Sequence, residues 1–214
     1  MIDLKRHLQS SYTTIRNRHF LKFIFKLGLL TMPAFIFFSL LRSSSEIQLS
    51  LSESFPIYHL GKLIMISAQK MLSIIGYQST LVFDKNIYHY GVFSLQIPGG
   101  IQTFIGFSCL GLGVMWVFTS LIVAWPGRVK IKLPYILSGL FTIFILNVMR
   151  MTYLTWIGRD GTNFTTKTYS LLGIGPYDHH DLFNFFIYIV IFLLFILWIE
   201  VFSKIKPKQS ESPH

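Results

Sequence analysis

The chain has 214 residues, 52% of them hydrophobic and only 13% charged, with a mean hydropathy of +0.54 and a formal net charge of +10. That is about half the charged content of a soluble domain, and several apolar runs approach the ~20 residues that cross a bilayer, so a soluble globular protein is set aside. A single cysteine excludes an intramolecular disulfide, a Cys-x-x-Cys redox pair and a cysteine zinc cluster within one chain.

The first 26 residues hold Lys5, Arg6, Arg16, Arg18, Lys22 and Lys26 against one acid, Asp3. An apolar stretch from about Phe20 to Leu41 follows, with Lys22 and Lys26 placed to snorkel toward headgroups. The long basic region and the lack of an Ala-x-Ala-like site predict an uncleaved anchor rather than a signal peptide. Residues 57–76 are only half apolar, with Leu60, Leu63, Ile64, Ala68, Met71, Leu72 and Ile75 at helical spacing among His59, Lys62 and Lys70. This pattern predicts an amphipathic helix on the surface or against the bundle, not a span. Over 80–105, β-branched residues alternate with polar ones up to Pro98-Gly99-Gly100, which predicts a short β-hairpin-like segment outside the membrane.

Three further spans are predicted at about Cys109–Trp125, Pro134–Tyr153 and Leu182–Phe202. The loop after the first carries Arg128, Lys130 and Lys132, and the tail (204–214) carries Lys204, Lys206 and Lys208. If 57–76 does not cross, twelve of the 19 basic residues fall on one face, and the positive-inside rule puts both termini in the cytoplasm. The expected fold is thus an all-α integral membrane helical bundle of about four transmembrane helices plus one amphipathic helix. It forms a single domain over 1–214, with a basic cytoplasmic N-terminus (1–19) and no internal repeat. The basic excess sits at the ends of apolar segments, which assigns it to topology and membrane lipids and predicts no nucleic-acid partner.

Threaded this way, polar residues from three segments reach one extracytoplasmic boundary. Cys109 begins a span inside the Gly-rich run Gly106-Phe107-Ser108-Cys109-Leu110-Gly111. A lone cysteine among apolar residues is often a small buried hydrophobe. A helix N-terminus and a nearby cation are also what a nucleophilic thiolate needs. Asn147 and Arg150 stand at i and i+3, one helix face, near the end of a span. Arg150 reads either as an interfacial anchor or as an interior cation that stabilises an oxyanion. His179 and His180 open the last span within Asp178-His179-His180-Asp181, and either imidazole can serve as a base without a metal. No His-x-x-x-His or Glu-x-x-His spacing occurs, so neither a metal nor any other cofactor is expected.

At Cys109-Leu110-Gly111, Asn147-Val148-Met149-Arg150 and His180-Asp181-Leu182-Phe183-Asn184 the chain resembles the exosortase/archaeosortase family of integral-membrane cysteine transpeptidases. The likeness covers about residues 90–200. Leu110 stands where the family usually has a small residue, and Asn184 where glycine is frequent. The resemblance implies that Cys109 attacks a peptide carbonyl near the C-terminal sorting tail of a secreted protein. Arg150 would stabilise the oxyanion or hold the thiolate, and His180 would protonate the leaving amine and activate the acceptor. The implied partners are secreted proteins ending in a motif, an apolar span and a basic end, met on the outer face of a bacterial cytoplasmic membrane. The alternative is a non-catalytic membrane assembly or lipid-linked-glycan binding protein, with Arg150 and His180 holding an anionic headgroup. A transporter is disfavoured, because no unpaired charge or broken helix falls at mid-membrane.

Overall fold

The structure, a computed structural model, describes residues 2–43, 50, 54–84, 92–106, 109–161, 169–171, 174–177 and 179–202. The expected basic tail at 204–214 and Asp178 lie outside the described residues, as do the side chains of 2–19. Five helices and two small sheets follow in order: α1 (Ile2–Ser43), α2 (Phe55–Ile74), β1 (Thr80–Asp84), β2 (Val92–Gln96), β3 (Thr103–Ile105), α3 (Leu112–Ala124), α4 (Val129–Ile157), β4 (Tyr169–Leu171), β5 (Ile174–Tyr177) and α5 (His179–Leu197). A π turn, Trp198–Phe202, continues α5.

Among the described residues, three helices are long and apolar enough to cross a membrane: Phe20–Leu40 in α1, Val129–Asp160 through α4, and Phe183–Val201 in α5. Their outer surfaces stay apolar, with Leu21, Phe25, Leu29, Phe35, Leu137, Phe141, Phe192 and Leu193 all more than half exposed. Apolar surface on that scale suits lipid and not water. The fourth expected span is shorter than the sequence predicts. Helix α3 begins only at Leu112, because Gly111 stands in the left-handed region at φ +75 and Cys109 lies in a 3-10 turn before it. Its 13 residues reach about 20 Å, against a hydrocarbon core of about 30 Å. Helix α4 is longer than expected: it starts five residues before Pro134 and runs past Tyr153 to Ile157, since no breaker intervenes before Gly158.

The helices α1, α3, α4 and α5 alternate in direction. At one end Phe23 of α1 meets Trp125, which follows α3, edge-on at 5.0 Å and stacks on Phe195 of α5 at 6.1 Å. Tyr135 of α4 donates a 2.5 Å hydrogen bond to the Leu194 carbonyl at the same end. Lys132 Nζ donates to the carbonyls of Val123 (2.9 Å) and Trp125 (2.5 Å), a cation on the carbonyl end of α3, where the helix dipole favours it. An apolar core of Phe118, Ile122, Ile143, Ile187 and Trp198 joins α3, α4 and α5.

The amphipathic segment forms α2 with boundaries two residues earlier than expected. Pro56 occupies its first turn, where a missing N–H goes unnoticed. It ends in a Schellman arrangement: Tyr77 N–H donates to Leu72 O at 2.9 Å and Gly76 N–H to Ser73 O at 3.1 Å, with Gly76 at φ +90. Its buried face is Gly61, Ile64, Met65, Ala68 and Leu72; Leu63, Met71 and Ile75, expected on that face, are exposed. Packing chose the line of residues that fits the C-terminal half of α4 and the sheet, to which α2 is pressed.

The hairpin-like segment is a three-stranded antiparallel sheet in the order β1-β2-β3, with Phe83 opposite Phe93 and Phe93 opposite Ile105. Four consecutive residues of the central strand, Val92 to Leu95, are buried, so this strand is covered on both faces and does not lie open to solvent. Gln102 Nε2 donates to Ser94 Oγ at 2.6 Å, and Ile101 N–H donates to Gly158 O at 2.8 Å, fastening the sheet to the end of α4. A second pair, β4-β5, antiparallel and irregular, lies between α4 and α5.

Candidate active site

The turn before α3 is built by Cys109 N–H donating to Gly106 O at 2.9 Å. From there Gly111 reverses the chain into α3, whose first backbone bond runs from Met115 N–H to Gly111 O. The N-cap of this helix, Gly111, has no side chain to cap it. Cys109 is 7% exposed and packs in a cluster with Ile64, Met65 and Ala68 of α2, Leu95 and Ile105 of the sheet, and Val148 and Met151 of α4. It stands two residues ahead of the helix cap rather than on the first turn, so the dipole reaches it less than expected, the effect falling off within a turn.

Asn147 is 1% exposed and aims its amide at this turn: Nδ2 donates to Leu110 O at 3.5 Å, at the long end for such a bond. A Cβ on Gly111 would overlap Asn147 Nδ2. Glycine is therefore required twice over, by the backbone angle and by the amide pressed against it. One turn on, Arg150 is 6% exposed, with Cζ 4.4 Å from the centre of the Phe183 ring. That is a cation–π contact of a kind worth about 2 kcal/mol when dry. Arg150 does not end its helix, since two further turns follow to Ile157, which places the guanidinium inside the bundle wall and not at a frayed end.

Phe183 lies in the first turns of α5, three residues beyond His180 and four beyond His179. Both histidines belong to the helix, not to the loop before it, and their side chains lie outside the described residues. The structure thus brings the Cys109 turn against Asn147, and Arg150 against the opening of α5, all at one end of the bundle.

Sequence reasoning missed two partners. Phe183 supplies the aromatic face for Arg150, and its spacing from His180 is the only signal for it. Gly61 lets α2 come within contact distance of Phe93 and Leu110, covering the turn from the side; nothing in the spacing of a half-apolar segment points to that. Comparison with protein-family models, with curated proteins and with solved structures found no match.

Proposed function

We propose that this chain is a membrane-embedded cysteine endopeptidase or transpeptidase of the exosortase kind, acting on the C-terminal sorting tail of secreted proteins. The observation that carries the reading is one helix face with two contacts: Asn147 touches the Cys109-Leu110-Gly111 turn while Arg150, one turn along, touches Phe183 beside His180. Three sequence signatures, far apart in the chain, converge through those contacts. A buried guanidinium in a membrane bundle is costly and marks a functional site by default, which favours a working role for Arg150.

In this reading the Cys109 thiolate attacks the peptide carbonyl carbon, forming a C–S bond. Arg150 stabilises the oxyanion that develops. Collapse breaks the C–N bond, and His180, or His179 in its place, gives its proton to the departing amine. The same imidazole then takes a proton from an acceptor hydroxyl or amine, water included, as that group displaces the sulfur. Asn147 acts by holding the turn. The active face is outward and both termini are cytoplasmic, following the charge distribution.

Co-expression with a secreted protein carrying a motif, an apolar span and a basic end tests the reading. Wild type should shorten it and Cys109→Ala should not; equal processing by both refutes the reading.

The burial of Cys109 in an apolar cluster favours a second reading, in which the cysteine is structural and Arg150 holds an anionic lipid or lipid-linked-glycan headgroup. Labelling with an iodoacetamide reagent from outside the cell separates the two. A reactive thiol at neutral pH supports the enzyme, and an inert one in folded protein supports the binding protein.

A further inference from the structure

We infer that Lys26 and Lys132, at the end of the bundle away from Cys109, bind the phosphate of an anionic phospholipid. Lys132 spends two ammonium protons on the Val123 and Trp125 carbonyls, which fixes its head at the end of α3 and leaves a third proton directed elsewhere. Phe23 docks α1 on Trp125 at 5.0 Å. Lys26 follows Phe23 by one turn and is exposed, on the side of α1 docked at Trp125, whose carbonyl holds Lys132. Lys22, four residues before Lys26, continues the same face of α1. Two cations from different helices therefore converge beside an aromatic floor.

Two of the described carboxylates lie elsewhere: Asp160 beside Arg159 at 3.4 Å, and Asp84 in the sheet. Glu200 is at this end, exposed on the π turn that follows α5. Like charges drawn together at the edge of an apolar layer repel strongly, and a shared anion removes the repulsion.

The surroundings select an amphiphile. Leu29, one turn deeper on α1, is 65% exposed, and Val129 and Leu133 at the start of α4 are 77% and 58% exposed. An acyl chain laid along those residues puts its phosphodiester between the two ammonium groups. A free phosphate has the same headgroup chemistry and nothing to lay there.

The purified full chain in uncharged detergent should be titrated with dioleoyl phosphatidylglycerol, dioleoyl phosphatidylcholine and inorganic phosphate, reading the melting temperature. Phosphatidylglycerol should raise it in a salt-sensitive, saturable way, and the other two should not. Lys26→Gln should raise the half-saturating phosphatidylglycerol by about fivefold, the worth of one lysine at an anionic surface. Its melting without lipid should be unchanged, because Lys26 makes no hydrogen bond among the described residues; Lys26→Arg should bind like wild type. An equal response to phosphatidylcholine, an unaltered titration in Lys26→Gln, or saturation by inorganic phosphate alone overturns the assignment. None of these outcomes touches the proposal for Cys109.

Discussion

Replacing Gly111 with alanine tests whether Asn147 holds the turn that presents Cys109. At φ +75 an L-residue costs about 1–2 kcal/mol, of which alanine's smaller unfolded-state entropy offsets about 0.4–1. The new Cβ also overlaps Asn147 Nδ2, and forced overlap in a packed site adds about 1–3 kcal/mol. Gly111→Ala should therefore destabilise by about 2–4 kcal/mol. Gly76 supplies the control: it stands at φ +90 with no atom within 4 Å of an added Cβ, so Gly76→Ala should cost about 1 kcal/mol. In Gly111→Ala/Asn147→Ala the overlap is gone, and the pair should be less damaging than the two changes summed, by about 1–3 kcal/mol. Denaturant titration of the detergent-solubilised protein at constant micelle composition reads all four variants. Equal losses for Gly111→Ala and Gly76→Ala, together with additivity against Asn147→Ala, would show that the amide does not seat the turn.

Arg150→Leu should leave melting unchanged or raised, because an apolar side chain replaces a buried charge, while substrate processing falls by about 10²–10³; a parallel loss of both would make Arg150 structural. Phe183→Leu removes the ring 4.4 Å from the guanidinium and should cost about 0.5–2 kcal/mol more in the wild-type background than when Arg150 is already leucine, as a double-mutant cycle will report. A Cβ on Gly139 would overlap the Phe118 ring, so Gly139→Val should lower the melting temperature and Phe118→Ala in the same chain should recover part of the loss.

The apolar runs of α1, α4 and α5 were legible because a span is a local property: some twenty apolar residues announce themselves whatever they pack against. The lysines that keep α2 out of the long apolar helices were equally legible. The buried face of α2 was not. Helical spacing allowed several neighbouring stripes, and contact with Val148 and Met151 chose the one through Gly61, Ile64, Met65, Ala68 and Leu72. The length of α3 escaped for a related reason: Gly111 reads as tolerable within an apolar helix until its backbone turns left-handed against Asn147.

The order of Cys109, Asn147, Arg150 and His180 along the chain, and the expectation that thiol, guanidinium and imidazole share one boundary, came from the sequence by itself. The period of a helix and the sign of its flanking charges need no partner to act. Tertiary structure alone decided that the amide seats the turn, that Phe183 receives the guanidinium, and that α2 with the sheet buries the sulfur. Asn147 and Leu110 are 37 positions apart, Arg150 and Phe183 are 33, and Cys109 is 41 to 45 from its partners on α2, so only the packing of one element on another determines which side chains fill the space between them.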